Sequence, residues 1–397
     1  MSEWKKVKLG ELYEVHNGLS KGRQFFGSGY PFLSFSTVFN NWFLPEELDS
    51  LVQSSEKERE ACSIKKGDVF ITRTSETMDE LGMSSVALRD YPNATYNGFT
   101  KRLRPITDNV IPEYIGYYLR SPKFRGKFMA FSTMTTRASL ANGDLLGMEV
   151  ELPNKNEQHR IATILSRYDS LIENYQKQIR LLEEAAQRLY KEWFVDLHFP
   201  GHENTKIIDG VPEGWEKKRL SGIANIIMGQ SPKSEFYNTE GDGIPFHQGV
   251  GSYGYRFVVD NVYSTSFTRI AEPNSILFSV RAPVGRLNIT KNKIVIGRGL
   301  ASINHKMGYQ SYLYYLLKEK FFKDNIIGNG AIFASISKDE LYNLVLFIPS
   351  DEIVKRYDAI ANKIDKNIQY VDSQIRLLTE ARDRLLPKLM SGEIEIS

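Results

Sequence analysis

The chain has 397 residues, 41% of them hydrophobic, a formal net charge of +3 and a single cysteine, Cys62. This composition is typical of a globular protein with two or three domains and excludes the collagen-like, disordered and disulfide-stapled classes. One cysteine excludes an intrachain disulfide and a four-cysteine metal site, so a reducing, cytoplasmic location is expected. No apolar run approaches the ~18 residues of a membrane span, and the first residues lack a signal-peptide core.

The first 153 residues are predicted to form a mixed α/β domain. Short β-type runs such as residues 68–73 alternate with Gly, Asn, Asp and Pro turn signals, and a helix is predicted at about 112–128. The alternating run Lys101-Arg102-Leu103-Arg104 is predicted to form one exposed face of a strand. The domain is therefore expected to belong to the α+β class.

A long helix is predicted next, within residues 154–195. Its apolar residues are spaced alternately three and four apart for about four heptads, and charged residues flank them. This narrow seam favours packing against another helix over the alternative, in which each long helix lies on its own domain. The predicted seam residues are Ile164, Tyr168, Leu171, Tyr175, Gln178, Leu182 and Leu189.

A connector at 196–211 is predicted to end this helix, because Pro200-Gly201 cannot continue it. A second α/β domain is predicted at 212–349. A second long helix and a tail occupy 350–397. The seam residues predicted for this helix are Ile360, Ile364, Val371, Gln374, Leu378 and Leu385. An antiparallel coiled coil with approximate two-fold symmetry is the simplest arrangement of the two helices.

The chain contains an internal repeat of about half its length. Residues 178–189 match residues 374–385 at nine of twelve positions without a gap, beginning with Gln-Ile-Arg-Leu-Leu in both. The match extends upstream through Tyr-Tyr-Leu at 117–119 and 314–316, although the offset drifts there. Two copies of one fold that differ in loop length explain this pattern.

The motifs of catalysis are missing or incomplete. Phe25-Phe26-Gly27-Ser28-Gly29 has the letters of an adenosylmethionine-binding loop, but Pro31 follows and no Asn/Asp-Pro-Pro-Tyr/Phe tetrad exists. There is no P-loop sequence, and the one close histidine pair, His198 and His202, has Pro200 between its members. No catalytic residue and no metal ligand is predicted.

The repeated architecture resembles the specificity subunit of type I restriction-modification systems. The resemblance covers essentially the whole chain and rests on the Gln-Ile-Arg-Leu-Leu repeat, on Pro212-Glu213-Gly214-Trp215 opening the second copy, and on Trp193-Phe194-Val195-Asp196 closing the first helix. It implies two target recognition domains, each reading one half of a bipartite DNA sequence, and helices that set the gap and dock methyltransferase subunits. It implies a subunit without enzymatic activity.

The same resemblance implies the partners and cofactors. The expected partners are double-stranded DNA, two methyltransferase subunits and, through them, restriction and translocation subunits. No cofactor is expected in this chain, whereas S-adenosylmethionine, ATP and magnesium would belong to the partners. The seam of roughly 43 Å agrees with this, because it would place the two half-sites about one helical turn of DNA apart.

Residues that contact DNA are sought among cationic and amide side chains at the ends of β-runs, because Arg reads guanine, Asn and Gln read adenine, and Lys, Ser and Thr bind phosphate. Global charge contributes little to this prediction, since most of the positive excess lies in residues 206–350. The candidates are Lys21, Arg23, Thr72, Arg73, Thr74, Thr136 and Arg137 in the first domain, and Lys233, Gln248, Ser279, Arg281 and Arg298 in the second.

Two other functions stay open at this point. A scaffold whose coiled coil joins proteins would not show salt-sensitive DNA binding in any assembly. A methyltransferase or nuclease in its own right would bind adenosylmethionine or metal as an isolated chain. The incomplete motifs argue against the second alternative.

Overall fold

The computed structural model describes residues 4–75, 81–131, 138–139, 141–322 and 335–394. The chain divides into two compact units. Unit 1 comprises Met1–Tyr175 and Gln374–Ser397, and unit 2 comprises Gln176–Ser373. Each of the two long helices is therefore shared between the units.

Unit 1 is a mixed α/β structure. Its strands are β1 (Lys5–Lys8), β2 (Tyr13–Asn17), β3 (Phe26–Leu33), β4 (Ser50–Val52), β5 (Val69–Thr72), β6 (Thr74–Ser75), β7 (Ser84–Val86), β8 (Thr95–Tyr96), β9 (Thr100–Pro105), β10 (Ala138–Ser139) and β11 (Glu149–Leu152). Its helices are α1 (Leu9–Leu12), α2 (Phe35–Asn40), α3 (Glu56–Ala61), α4 (Pro112–Arg120), α5 (Pro122–Phe131), α6 (Asn142–Gly147) and the first part of α7 (Lys155–Phe194).

The main sheet of unit 1 has the antiparallel order β2-β9-β5-β7. A second sheet has the order β4-β3-β8, and β1 pairs with β11. Local signals fit these elements: Ser55 and Glu58 form a capping box at α3, and Pro112 begins α4.

Unit 2 repeats this arrangement. Its strands are β12 (Ile207–Ile208), β13 (Val211–Pro212), β14 (Glu216–Arg219), β15 (Ala224–Met228), β16 (Tyr237–Asn238), β17 (Ile244–His247), β18 (Tyr263–Ser264), β19 (Ile270–Ala271), β20 (Ile276–Ser279), β21 (Leu287–Ile289), β22 (Ile294–Ile296), β23 (Leu300–His305) and β24 (Val345–Ile348). Its helices are α8 (Leu220–Ile223), α9 (Gln310–Phe322), α10 (Lys338–Tyr342), the second part of α7 and the first part of α11 (Asp351–Ser391).

The sheets of unit 2 correspond to those of unit 1. The order β15-β23-β20-β21 matches β2-β9-β5-β7, and β14 pairs with β24 as β1 pairs with β11. The parallel pair β17–β22 matches β3–β8. The predicted mixed α/β class with two similar domains, each followed by a long helix, is confirmed.

The two long helices run antiparallel within each unit. In unit 1, Ile161, Ala162 and Leu165 of α7 belong to the same core cluster as Leu386 and Leu389 of α11. Further along α7, Asp169 accepts a 2.6 Å hydrogen bond from Arg382. Later residues of α7 therefore contact earlier residues of α11, so the two helices are antiparallel.

In unit 2 the first part of α11 likewise packs against the second part of α7. The Tyr357 hydroxyl of α11 donates to the Ala186 carbonyl at 3.0 Å, and its ring packs edge-on against Tyr190 and Trp193. Tyr357 is fully buried. Burial of several large rings at this point stabilises the packing of α11 on α7 in the second unit.

The predicted seam requires a correction. Leu171 is 45% exposed and Gln178 is also exposed, whereas the next residues, Ile172 and Ile179, are buried. The buried row of α7 lies one residue further along than predicted. This row includes Asp169 and the buried Glu183, and a search for apolar spacing rejects such residues.

The seam of α11 is partly displaced as well. Ile360 is 43% exposed, and Ala361 beside it is fully buried. Val371 is buried as predicted. The remaining predicted seam residues are half-buried, and they are Ile164, Tyr168, Tyr175, Leu182 and Leu189 on α7 and Ile364, Gln374, Leu378 and Leu385 on α11.

One hydrogen bond between domain and helix occurs in both units. The Tyr117 hydroxyl donates to Asp169, and the Tyr315 hydroxyl donates to Asp365 at 3.0 Å. This contact matches Tyr117 with Tyr315, one position away from the match that the Tyr-Tyr-Leu letters suggest. Each domain is therefore attached to its part of the helix pair through the same two residue types.

Candidate nucleic-acid interface

The loop that follows the third strand of each main sheet is anchored by a buried hydroxyl. Thr72 Oγ1 accepts a hydrogen bond from the Met83 amide at 2.9 Å, and Ser279 Oγ accepts one from the Arg286 amide at 2.8 Å. Ser279 also donates to the Pro283 carbonyl at 2.6 Å. Thr72 and Ser279 are essentially fully buried. Their prediction as DNA contacts is wrong, since their hydroxyls shape the loop.

In unit 2, three of the remaining predicted residues come together. Gln248 follows β17, Arg281 follows β20 and Arg298 lies between β22 and β23. They surround a depression of about 140 Å³. The residues that line it are Gln248, Gly249, Val250, Ser279, Arg281, Ala282, Arg298 and Gly299. No carboxylate is among these lining residues, so the charge of the depression is positive.

The two arginines keep their hydrogen-bond donors available. Arg281 and Arg298 are exposed, and neither guanidinium has a hydrogen bond or ion pair within the described part of the chain. By contrast, Arg104 pairs with Asp68, and Arg120 donates to four carbonyls of its own domain. The structural arginines are saturated by their own domain, whereas those of the depression can bind an external acceptor.

The backbone beneath the depression is fixed. The Gly299 amide donates to the Gln248 carbonyl at 3.2 Å, and a Cβ at Gly299 would lie 2.4 Å from that oxygen. The buried His247 contacts Ser252 Oγ at 2.6 Å through Nδ1 and Asp260 at 3.0 Å through Nε2. Burial is the largest single influence on the pKa of the Asp260 carboxyl and raises it, but the hydrogen bonds from His247 and Asn292 and the nearby charges together outweigh burial and lower the pKa. The loop after β17 is thus held at both ends.

Lys233 lies apart from this depression's lining. Its side chain is 81% exposed, and its ammonium lies 3.9 Å from Glu235. A contact of this kind contributes little to stability and leaves the lysine available to solvent. It stays a predicted phosphate contact.

In unit 1 the predicted cations have mixed environments. Lys21 donates to the Gln53 carbonyl at 2.7 Å and pairs with Glu58 at 2.8 Å, so its charge is already neutralised. Arg23 is exposed. Thr74 belongs to β6, but its side chain lies outside the described residues, as do Thr136 and Arg137 entirely.

Arg73 and Lys101 form a cationic pair that the sequence did not reveal. Arg73 contacts Asn17 at 3.5 Å, and Lys101 donates to Asn142. Lys101 is only 5% exposed, and burial, followed by the charge of Arg73, lowers its pKa. Arg102 is also buried, so the exposed strand face predicted for 101–104 is wrong. Pairing of both cations with amides, without a carboxylate in the described contacts, leaves a net positive site.

A second surface lies on the long helices and follows the internal repeat. In both copies several of the matching residues are solvent-accessible, with Leu181 and Leu377 exposed by 56% and 48%. We define the repeat face as Arg180, Leu181, Glu184, Ala185 and Arg188 on α7 and Arg376, Leu377, Glu380, Ala381 and Arg384 on α11. Arg, Glu and Arg lie four residues apart in each copy and therefore form one row.

Each copy of the repeat face borders a groove. In unit 2 the groove has about 500 Å³ and is lined by Arg180, Glu184 and Arg188 together with Tyr255 and Lys318. In unit 1 the groove has about 560 Å³. It is lined by Arg376, Thr379, Glu380, Asp383 and Arg384. The same three residue types thus border an open surface depression in each copy, although in unit 1 all of the lining residues belong to α11.

The described residues lack two features that would bear on function. Among those residues, no group of three or more His, Cys, Asp and Glu side chains could hold a metal ion. None of the helices described is long and apolar enough to cross a membrane.

Two units of one topology, each containing an antiparallel pair formed by part of α7 and part of α11, define the class of two-domain specificity subunits. The chain belongs to the family of type I restriction-modification DNA specificity domains, because residues 1–184 and 212–384 both match that family. The sequence resemblance is thereby confirmed. Two copies of a DNA specificity domain, rather than a catalytic domain, make up most of the chain.

Individual relatives agree with this assignment. The provisionally named MjaX specificity subunit of Methanocaldococcus jannaschii is 30% identical, with 99% of this chain and 94% of that protein covered. The HindI specificity subunit of Haemophilus influenzae is 23% identical, over 99% of this chain and all of that protein. The crystal structure of a type I S subunit from M. genitalium shares the fold, with a TM-score of 0.57, 17% identity and coverage of 99% and 97%.

Proposed function

We propose that this chain gives a type I restriction-modification complex its DNA target, with each domain reading one half of a bipartite sequence. The depression formed by Gln248, Arg281 and Arg298 carries this proposal, because it presents unpaired base-reading side chains on a fixed backbone. The pair Arg73 and Lys101 supplies a positive site in the other domain. Methylation and cleavage of the DNA are assigned to other subunits of the complex.

The repeat face supports docking of two identical partners. Where the same residue occurs in both copies of a fold and is buried, the need to pack in the same way explains the match. Leu181 and Leu377 are exposed, so packing within the chain does not explain why they match. A partner that binds both copies of the face does explain it, and we assign that role to the adenine-modifying methyltransferase subunits of the complex, one at each copy.

The remaining assignments follow from this complex. The methyltransferase subunits would use S-adenosylmethionine, and restriction and translocation subunits attached to them would use ATP and magnesium. A complex that acts on chromosomal and invading DNA would work in the cytoplasm. This chain would supply the specificity and the geometry.

We further propose that α7 and α11 set the gap between the two half-sites. Inserting one heptad after Tyr175 and one after Ser373, where the units divide, lengthens both helices by the same ~10 Å. The unspecified gap of the target should widen by about three base pairs, because DNA advances ~3.4 Å per base pair. Methylation mapping of the complex measures the gap, and an unchanged gap would overturn the spacer role.

A matched variant distinguishes spacing from disruption. A heptad inserted in α7 alone leaves α11 short, so the antiparallel partners lose their register and methylation should fall at every site. If this single insertion also widened the unspecified gap by about three base pairs and left methylation intact, α11 would not contribute to the length of the gap.

Mapping of N6-methyladenine in a host with and without the gene tests the function as a whole. Loss of one split motif, two short specified blocks around a fixed gap, is expected on deletion. An unchanged map would instead favour the scaffold function. Salt-insensitive behaviour of the assembled complex on DNA would do the same, since phosphate contacts make binding strongly dependent on salt.

A further inference from the structure

We infer that the depression of unit 2 is a guanine-reading site formed by Arg281 and Arg298, and that the first domain has no counterpart to it. The inference rests on the proposed function and names the base that one domain selects. It explains how two copies of one fold can read different half-sites.

The chemistry of the depression selects a base edge over other ligands. At about 140 Å³ it is well below the ~300–1,000 Å³ of sites that enclose a small molecule. An arginine fork donates two hydrogen bonds to O6 and N7 of guanine, which is the most common specific contact in the major groove. Both guanidinium groups lack a partner among the described residues, so both forks are available.

The position of the arginines supports a specific contact rather than a phosphate contact. Each extends from a backbone that the domain holds by hydrogen bonds next to the arginine. The Val280 amide donates to the Gly299 carbonyl at 2.9 Å, and the Arg298 amide donates to Ser231 Oγ at 3.2 Å. A fixed backbone restricts where each fork can reach, which base readout requires and a phosphate contact does not.

Backbone hydrogen bonds identify the equivalent positions in unit 1. The Arg73 amide donates to the Phe99 carbonyl at 3.0 Å, as the Val280 amide donates to that of Gly299, so Thr74 corresponds to Arg281 and Gly98 to Arg298.

A second pair of bonds locates the third position. The Asn97 amide donates to the Leu33 carbonyl at 3.0 Å, as the Gly297 amide donates to that of His247 at 2.8 Å, so Ser34 corresponds to Gln248. Ser34 already serves as the N-cap of α2 by accepting from the Thr37 amide. The three positions therefore change from Gln, Arg and Arg to Ser, Thr and Gly, and none of these three positions in the first domain is an arginine.

The test uses the complete complex of this chain with its methyltransferase subunits. Arg281→Ala and Arg298→Ala are each expected to make one guanine position degenerate in only one block of the methylated motif, with the other block unchanged. Discrimination at that position should fall about 10- to 100-fold. The matched control is Lys293→Ala, an exposed cation of the same unit that pairs with Glu272 at 3.6 Å and should leave the motif intact.

Base analogues identify the atoms involved. Placing 7-deazaguanine at the affected position removes N7 and should slow methylation by the wild-type complex about 10-fold or more, whereas inosine keeps O6 and N7 and should not. In the arginine variants both analogues should behave like guanine.

Two results would overturn the inference. Uniformly weaker methylation at every site, with the motif retained, would make these arginines phosphate contacts. An unchanged motif would show that they do not touch DNA. If instead the wild-type complex methylated no split motif, the proposed function itself would fail, which is a different outcome from either of these.

Discussion

The double variant Leu181→Glu/Leu377→Glu should fold normally and lose both methyltransferase subunits. Both leucines are about half exposed in the isolated chain, so glutamate costs the fold little. In the complex, each leucine would be covered by the partner next to the glutamate three residues further along the repeat face, Glu184 or Glu380, and a second carboxylate desolvated there is expensive. Each site should lose at least about 2 kcal/mol of binding, or roughly 30-fold in affinity.

Native mass spectrometry of the co-expressed subunits measures this effect. Each single variant should retain one partner, and the double variant none. Tyr370→Glu is the matched control, because Tyr370 is 63% exposed on α11 and its repeat counterpart is Asn174. Full assembly of the double variant would show that the repeat face is not a docking surface.

The architecture could be predicted because the repeat is written in the sequence at a fixed offset. The strand orders of the two main sheets then follow from the same fold formed twice. The seam could not be placed correctly, because its buried row contains Asp169 and Glu183. These carboxylates are acceptable only because Arg382 and Arg256 reach them from elsewhere in the chain, which periodicity does not reveal.

The sequence predicted which residues belong to the candidate site, but not that they lie together in the fold. Gln248, Arg281 and Arg298 were separate candidates along 51 residues of sequence, and only the convergence of β17, β20 and the β22–β23 loop brings them together. The prediction that Thr72 and Ser279 contact DNA was wrong, because a hydroxyl can hydrogen-bond to the backbone of its own loop as well as to a phosphate. Lys101 was missed because a buried lysine looks like a strand-face cation in the sequence.

Arg256 provides the largest expected effect on stability. This buried side chain donates to Glu183 of α7 at 2.7 Å and to Asp365 of α11 at 2.6 Å. Its guanidinium carbon lies 3.6 Å from the ring centre of Tyr314, and Asp365 also accepts from Tyr315. One arginine of the second domain thus neutralises a carboxylate on each long helix within unit 2.

Arg256→Ala should lower the free energy of unfolding by about 3–5 kcal/mol, because Asp365, whose side chain is 18% exposed, loses its cation and the buried Glu183 keeps only the longer 3.6 Å ion pair with Lys318. Arg256→Lys should recover only part of this, since an ammonium cannot bond both carboxylates in the geometry of the fork. The triple variant Arg256→Met/Glu183→Leu/Asp365→Asn removes these three charges together and should recover much of the stability, because replacement of a buried ion cluster is often neutral. Lys318 loses its contact with Glu183 in this variant, but its side chain is 26% exposed.

Urea unfolding followed by the fluorescence of Trp193 and Trp215, both in unit 2, measures these differences when Trp4 and Trp42 are replaced by Phe. Arg89→Ala is the control, because Arg89 forms an exposed pair with Glu46 and its removal should leave the unfolding midpoint unchanged. A loss of less than about 1 kcal/mol for Arg256→Ala would mean that water reaches the two carboxylates. The second domain would then be held on the helices by Tyr315 and by the buried rings around Tyr357. Residues of this domain that read DNA could in that case be exchanged without preserving Arg256.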